Sequence, residues 1–324
     1  MKTLACAVAG LALALAGSAR AGEPRELTGT RSISETRPVD PNASIEIVNV
    51  AGSVTVQGWS EPKLEVTGTI GGKVERVDVS SSGAHASVRV VLPNGPQWGG
   101  DGSADLVVRV PSRSSVSASL VSADLEVADL QGDAHLRTVS GNVSGSLDGD
   151  AHVNTVSGDV RLTARNAKYL EVKTISGDVN VFGAGGDVDV ATVSGDAELS
   201  LGALTRGRFE TVSGDFGVGS TLAAGGQIDG ESVSGDFSLS FPAPPNAAID
   251  IRSFSGEIEN CFGQKAVSAE YGPGARLQYT SGDGNGRVRL DTKSGNVSLC
   301  AKPPRPPGGP KGPRPPPAPP PPGG

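Results

Sequence analysis

The sequence predicts an all-β fold, a β-solenoid with coils of about 17–21 residues and a β-rich cap at its N-terminal side. A phrase of the type Val-Ser-Gly-Asp occurs seven times, with glycines spaced 17, 19, 18, 19, 21 and 21 residues apart. Apolar and polar residues alternate on both sides of each phrase, as in short strands. Gly accounts for 46 of 324 residues and aromatic residues for 4%, which favours tight turns over a thick aromatic core.

Residues 1–21 have the composition of a secretory signal peptide. Lys2 supplies the positive start, Ala5 to Ala16 form an apolar run, and Ala19-Arg20-Ala21 predicts cleavage after Ala21. The apolar run is shorter than the ~20 residues that span a bilayer. We therefore expect a bacterial protein of the periplasm, the cell surface or the medium, with no transmembrane span.

Residues 22–116 form a predicted β-rich N-terminal region that caps one end of the solenoid. Ser44–Val50 and Ser53–Trp59 alternate apolar and polar residues, and Gly52 between them looks like a degenerate repeat corner. A Gly- and Pro-rich loop follows at residues 93–102.

Residues 117–259 form the predicted repeat solenoid. Counted from each glycine, positions −7, −5, +2 and +4 are mostly apolar and are assigned to the core, as in Leu170, Val172, Val179 and Val181. Two short strands then meet at a bend, where Gly supplies a positive φ and Ser and Asp bond to the backbone. The valine of the phrase is also assigned to the core. An array of antiparallel hairpins is the competing geometry, although hairpins need no constant spacing.

The seven phrases share one pattern, and Ala123 takes the glycine position in an eighth, earlier coil. The phrases begin at Val139, Val156, Ile175, Val193, Val212, Val233 and Phe254.

Residues 260–301 are predicted to form irregular C-terminal coils that cap the other end, with late copies of the phrase at Ser281–Asp283 and Ser294–Asn296. Cys261 and Cys300 are the pair left after signal removal. In an exported chain they predict a disulfide, with two free thiols as the alternative.

Residues 302–324 form a proline-rich tail, since 13 of the 23 residues are proline and four are basic. This composition predicts a disordered or polyproline II segment. It acts either as a spacer or as a contact with peptidoglycan, an acidic polymer or a proline-binding partner.

The body of the chain is acidic. Without Lys2, Arg20 and the four basic tail residues, 22 basic residues face 35 acidic ones between residues 22 and 301, a net charge of −13. Nucleic-acid binding needs basic grooves and stacking rings, so it is not expected.

Stacked coils turn each repeat position into a column with neighbours about 4.8 Å apart. Position +1 then holds an acidic column, in which adjacent carboxylates repel by about 0.9 kcal/mol in water. Either these carboxylates accept backbone N–H groups, or they bind Ca²⁺ as a ladder of hard oxygen ligands. No other cofactor is predicted. The candidate calcium ligands are Asp159, Asp178, Asp196, Asp215 and Asp236.

A second column, at position −6, is predicted to face outward and contains His135 and His152. Asp133 and Asp150 precede them by two residues and predict two stacked Asp–His pairs. Such pairs suit a transition metal or a pH sensor. The alternative is a surface histidine that was simply duplicated with its repeat.

No catalytic chemistry is predicted. No histidine recurs beside the repeated serines to act as a base. The repeated aspartates are equivalent, whereas glycoside cleavage needs two carboxylates in different environments. Trp59 and Trp98 are the two tryptophans of the sequence, both outside the repeats, so stacking platforms for sugar rings are scarce.

Ile47–Trp59 and the repeated unit Thr-Val-Ser-Gly-Asp-Val, as at Thr155–Val160, resemble the bacterial β-strand-repeat "putative adhesin" family, a domain of unknown function. The resemblance covers roughly residues 40–300. It implies an exported β-solenoid and carries over no catalytic residue.

The sequence thus predicts a non-enzymatic, exported structural or binding module, adhesin-like, with a rigid acidic β-solenoid surface. Its partner would be an envelope protein or a polysaccharide, and end-to-end self-association stays open. The alternatives are an envelope-sensing accessory protein and a polysaccharide-active β-helix enzyme.

Overall fold

The computed structural model describes residues 29–93, 102–268 and 273–301. Every regular secondary-structure element in these ranges is a β-strand, which confirms the all-β class. The same ranges contain no helix with the length and hydrophobicity of a membrane span. The predicted signal peptide with its cleavage after Ala21, Trp98 and the proline-rich tail lie outside the described residues.

The described residues form 22 strands. The strands before the regular repeats are β1 (Arg31–Trp59), β2 (Lys63–Ile70), β3 (Arg76–Ser81), β4 (Gly83–Val91), β5 (Ala104–Pro111) and β6 (Ser115–Leu130). The strands of the repeats are β7 (Ala134–Ser140), β8 (Val143–Leu147), β9 (Ala151–Ser157), β10 (Val160–Ala164), β11 (Tyr169–Ser176), β12 (Val179–Phe182), β13 (Gly186–Ser194), β14 (Ala197–Ser213), β15 (Phe216–Ser234), β16 (Phe237–Ser240), β17 (Ala247–Ser255) and β18 (Ile258–Asn260). The last strands are β19 (Val267–Ser268), β20 (Ala275–Ser281), β21 (Gly286–Ser294) and β22 (Val297–Cys300).

Successive repeats pair as parallel strands in register. On one side of the corner β9 lies between β7 and β11, so that Thr155 pairs with both Thr138 and Thr174. On the other side β10 lies between β8 and β12. This solenoid-like arrangement is incompatible with an array of antiparallel hairpins in the repeats.

The core follows the predicted period-two pattern. Leu170, Val172, Val179 and Val181, at positions −7, −5, +2 and +4, are 0% exposed. They belong to one continuous apolar cluster that extends from Val39 to Leu299. A buried aliphatic side chain contributes roughly 1.5–3 kcal/mol. One coil carries too few of them to be stable alone, so the stack of coils supplies the core.

The valine of the phrase is not in the core, so this assignment was wrong. Thr174, at position −3, is buried, and strand alternation then turns position −2 outward. Ile175, at position −2 of the same coil, is 52% exposed.

The corners depend on glycine for two separate reasons. The seven repeated glycines have φ between 124° and 154°, a region that favours glycine. In addition, a Cβ at Gly177 would lie 2.2 Å from the carbonyl oxygen of Gly158 in the adjoining coil. Ala123 has no positive φ, and β6 runs through that position as one unbroken strand.

The coils at the N-terminal end are stacked out of chain order. Residues 44–57 of β1 pair with β6 on one side and with the later strands β4 and β5 on the other. Gly52 pairs with Ala123, which confirms it as a repeat corner. Beyond this stack, β2 and β3 run antiparallel to β5 and β4. Antiparallel strands therefore cover the parallel edge that a terminal coil would expose.

The C-terminal end shows the same exchange. β21 lies between β15 and β17, and β22 lies between β16 and β18. Gly295 therefore forms a regular corner between those of Gly235 and Gly256, not a late irregular copy. The expected copy at Gly282 was wrong, because β20 before it runs antiparallel to β17 and Gly282 belongs to the turn into β21.

The predicted disulfide between Cys261 and Cys300 is confirmed, with Cα atoms 4.8 Å apart. It joins the end of β22 to the residue after β18, next to the pairing of Asn260 with Leu299. The bond thus ties the inserted coil to its outer neighbour. The two cysteines are 39 residues apart in the sequence, and a bond that closes a loop of this length stabilises the folded state by about 3–4 kcal/mol in the chain-entropy model.

We predict that Gly177→Ala lowers the free energy of unfolding by about 3 kcal/mol, because the new Cβ clashes with the Gly158 carbonyl and the φ of +134° is unfavourable. Gly225→Ala is the matched control, since its φ is +73° but a Cβ there meets nothing within 4 Å. The control should cost about 1 kcal/mol. Urea denaturation measures both, and equal losses would contradict the stacking argument.

Candidate functional site

The candidate site is the edge at which the two strands of each coil meet. Two columns follow this edge, which we call the corner edge. The valine column consists of Val121, Val139, Val156, Ile175, Val193, Val212 and Val233. The carboxylate column consists, in spatial order, of Asp124, Asn142, Asp159, Asp178, Asp196, Asp215, Asp236, Asn296 and Glu257.

The carboxylate column is a hydrogen-bonded ladder. The backbone N–H of Asp196 donates to Oδ1 of Asp178 at 3.1 Å, and the N–H of Asp215 donates to Oδ1 of Asp196 at 2.9 Å. The same bond recurs at each step from Asp124 to Glu257, over 2.7–3.1 Å. These carboxylates therefore act as backbone acceptors, and the bonds offset the repulsion between like charges.

The column differs from its sequence prediction at both ends. It starts one coil earlier, at Asp124, and Asn296 separates Asp236 from Glu257. Among the described residues, Asp159 is the one column member that forms an ion pair, with Arg161 at 2.8 Å. The remaining column carboxylates leave the edge strongly acidic.

The valine column is a candidate binding feature that the sequence did not lead us to expect. Its seven side chains are 43–52% exposed, and at the spacing of parallel strands they form a stripe of about 29 Å. Lys293 follows Val233 in the stack, and Phe254, 63% exposed, ends the line. Soluble proteins rarely expose a contiguous apolar stripe without a binding role. Extending the alternation from position −7 to position −2 would have found it.

Some of the charges beside the valine column are compensated within their own strand. On four strands, positions −6 and −4 carry opposite charges that form ion pairs, whereas β13 carries Asp189 and Ala191 there and β15 carries Asp229 and Glu231. The pairs are Glu171 with Lys173, Arg208 with Glu210, Arg289 with Asp291, and Asp250 with Arg252.

The histidine column is present as predicted, but its acidic partner is different. His135 and His152 occupy paired positions on β7 and β9. Nδ1 of His152 lies 2.8 Å from Oε2 of Glu171 on β11. Asp150 instead accepts the backbone N–H groups of Lys168 and Tyr169, each at 2.9 Å, so the predicted pairing of Asp150 with His152 was wrong.

Glu171 and Asp189, two carboxyl groups of this face, have pKa values shifted in opposite directions. Hydrogen bonds from Lys173 and His152 lower the pKa of Glu171 below its ordinary value. Burial raises the pKa of Asp189, the next residue along the column. Glu171 is therefore a carboxylate throughout the physiological pH range.

The described surface of the corner edge is shallow. A depression of about 200 Å³ is lined by Gly52, Ala123 and Gly141 with the adjoining serines and Asp124. This volume is below the range of ordinary small-molecule pockets, roughly 300–1,000 Å³. The edge is suited to an extended partner that lies along it.

Calcium binding by Asp159, Asp178, Asp196, Asp215 and Asp236 stays a prediction. Oδ1 of each accepts a backbone N–H, and Oδ2 of Asp159 is also paired with Arg161, so Oδ2 of the other four aspartates is left for a cation. Within the described ranges, Glu259 with Cys261 and Cys300 is the one group of three side chains close enough to share a metal, and both sulfurs are in the disulfide.

We expect Ca²⁺ at millimolar concentration to raise the melting temperature if the column binds it, because a ligand of the folded state alone stabilises that state. Calorimetry on the protein and on an Asp178→Asn/Asp196→Asn variant measures this. If no heat of Ca²⁺ binding is observed, or if the variant gives the same heat as the parent protein, the calcium ladder is refuted.

We predict that Asp196→Ala lowers the free energy of unfolding by about 1 kcal/mol, because the N–H of Asp215 loses its acceptor. Asp196→Asn keeps the acceptor, as Asn142 does in the native column, and should stay within about 0.5 kcal/mol of the parent protein. Denaturation at low salt measures the free energy of unfolding of both variants. An equal loss in both variants would mean that charge, not the hydrogen bond, stabilises the ladder.

Several solved structures resemble the chain at low identity. A "putative adhesin" from Bacteroides fragilis is 12% identical, with 84% of this chain and 98% of that chain covered, at a TM-score of 0.44. A "putative lipid binding protein" from Parabacteroides distasonis is 14% identical, with 82% and 96% covered, at 0.39. A "putative cell adhesion protein" from Clostridium sporogenes is 10% identical, with 84% and 100% covered, at 0.22. At these values none of the three carries an argument about function.

No curated protein matches the chain. The family match is extensive, and it agrees with the resemblance of Ile47–Trp59 and of the repeated unit. Residues 42–300 match the Toastrack DUF4097 family, and the chain therefore belongs to that family.

Proposed function

We propose that the protein is a non-enzymatic, exported binding module that holds an extended partner along its corner edge. One observation carries the proposal: the valine column, 43–52% exposed over seven consecutive coils, follows the same edge as the carboxylate column. The apolar stripe supplies the surface that a partner covers. The acidic column beside it supplies polar, negatively charged contacts and orients that partner.

The regular spacing of the edge favours a repetitive partner. Each coil presents the same small set of groups, an aliphatic side chain and a carboxylate, about 4.8 Å from the next. A single such contact is weak, but several formed together on one partner add up. A rigid support is required, because a flexible one would lose entropy on binding. The continuous core and the in-register ladder provide it.

The partner we propose is an envelope protein or a polysaccharide that is extended and carries apolar and basic or hydroxyl groups. The net charge of −13 between residues 22 and 301 repels nucleic acid and other polyanions. The identical, hydrogen-bonded carboxylates lack the asymmetry of a glycosidase pair, which favours binding over cleavage.

The proposal includes the domain organisation expected from the sequence: coils of 17–21 residues in 117–259, an N-terminal cap in 22–116 and a C-terminal cap in 260–301. The pairing of Thr138, Thr155, Thr174, Thr192 and Thr211 in adjacent strands, 17–19 residues apart, supports the coil length. The antiparallel strands β2 and β3 support a covering role in 22–116. In 260–301 the covering role is supported for β20, since β21 and β22 lie inside the stack.

We further propose a location in the periplasm, on the cell surface or in the medium. The disulfide between Cys261 and Cys300 supports this, because disulfides persist mainly outside the reducing cytosol. The composition of residues 1–21 also supports export.

We predict that an Ile175→Ser/Val193→Ser variant loses about tenfold or more of its affinity for envelope material, since two adjacent stripe contacts of about 1 kcal/mol each are removed. Both side chains are roughly half exposed, so the fold should remain stable. Purified protein is incubated with whole cells and with isolated envelope fractions, and the bound fraction is measured.

The matched control is Asp178→Asn/Asp196→Asn in the same coils, which keeps the hydrogen-bonded ladder and removes two charges. A loss in the stripe variant with a smaller, salt-dependent loss in the control supports the proposal. Unchanged binding by the stripe variant would refute it, and release of reducing sugar from envelope polysaccharide would favour the enzyme alternative.

A further inference from the structure

The two neighbouring imidazoles on β7 and β9 form a chemical unit that the corner edge does not use. The rings of His135 and His152 are stacked, with centroids 4.7 Å apart and planes inclined by 11°. Position −4 separates their column from the valine column at position −2. His135 is exposed and His152 is partly exposed, so both ring edges are accessible from solvent.

The partner of His152 determines which of its ring nitrogens is free. Nδ1 lies 2.8 Å from Oε2 of Glu171, and a carboxylate can only accept a hydrogen bond. Nδ1 must therefore carry the proton and donate it. In the neutral ring this leaves the lone pair on Nε2. A carboxylate that orients a histidine in this way is the usual outer partner of a metal-binding imidazole.

Packing holds the second imidazole beside the first. His135 and His152 occupy paired positions of two parallel strands, so the strand spacing fixes their separation. On the other side of His152, the ring of Tyr169 lies 5.0 Å away and is tilted by 41°. His152 is therefore confined between two rings while its Nδ1 is bound, which limits the entropy lost on ligand binding.

We propose that His135 and His152 bind one divalent transition-metal ion of the Cu²⁺, Ni²⁺ and Zn²⁺ group through their Nε2 atoms. Imidazole nitrogen is the ligand type that these ions prefer. Two imidazole nitrogens at ~2.0–2.1 Å from a tetrahedral ion lie roughly 3.3 Å apart. Each lone pair lies in its ring plane, so the stacked rings cannot both direct Nε2 at one ion, and the exposed His135 must turn out of the stack by about a right angle or more while His152 stays bound to Glu171. Water completes the coordination, and the ion remains open to a ligand from the partner.

The charges around the pair permit this ion. Glu171 and Asp189 follow in the same column and are acidic, while Lys173 is paired with Glu171. Arg137, two residues after His135 on the same face of β7, is a neighbouring cation that opposes binding. Hard oxygen-binding ions such as Ca²⁺ and Mg²⁺ are not expected at two imidazoles.

The sequence contains three histidines, and the third gives a matched control. His85 is exposed on β4, away from the pair. Untagged, disulfide-bonded protein is titrated with Cu²⁺ and, separately, Ni²⁺ at neutral pH by calorimetry. We expect one site, an affinity reduced at least about tenfold in His135→Gln and in His152→Gln, and no change in His85→Gln.

Glu171→Gln tests the orienting role of the carboxylate. It should weaken binding about tenfold without abolishing it, because the amide oxygen accepts the Nδ1 proton less strongly. The thermal midpoint of each variant without metal shows that the fold is intact.

Electron paramagnetic resonance of the Cu²⁺ complex gives a second readout. The spectrum should show coupling to two imidazole nitrogens, and to one in either single variant. Equal affinity in all variants, or a spectrum without two coupled nitrogens in the parent protein, overturns the proposal. Failure of this site would not affect the proposed binding along the corner edge, because the stripe variants leave both histidines in place.

Discussion

The close contact between successive corner glycines is the constraint on which the repeats depend. A Cβ at Gly177 would lie only 2.2 Å from the carbonyl oxygen of Gly158. The backbones of adjoining coils are therefore in direct contact at the corner, and no side chain fits between them. Each corner therefore lies directly over the last. The strands on both sides then pair in register, and every side chain of one coil lies beside its equivalent in the next.

Register turns a repeated phrase into continuous surfaces. Aliphatic positions −7, −5, +2 and +4 become one core, and position −2 becomes an exposed apolar stripe. Position +1 becomes a ladder in which each carboxylate accepts the next backbone N–H. The same rule brings His135 beside His152. The features proposed to bind a partner thus arise from columns, and no single copy of the phrase contains one.

The two ends follow a different rule from the middle. A stack made in chain order would leave a parallel edge open at each terminus, which invites pairing with another chain. Here the chain returns on itself, so β1 and the β21–β22 coil become internal, and antiparallel strands lie outside. The disulfide joins the inserted coil to its outer neighbour and supports this order.

The sequence by itself determined the all-β class, the glycine corners, the core positions and the Cys261–Cys300 pair, because period, alternation and cysteine count are local properties. It also contained the valine column, which follows once the alternation is carried to position −2. Only the tertiary structure decided that Asn296 lies between Asp236 and Glu257 and that Glu171 binds His152. Coils of nearly equal sequence are interchangeable as neighbours, so the choice among them depends on long-range pairing and on how the ends are closed.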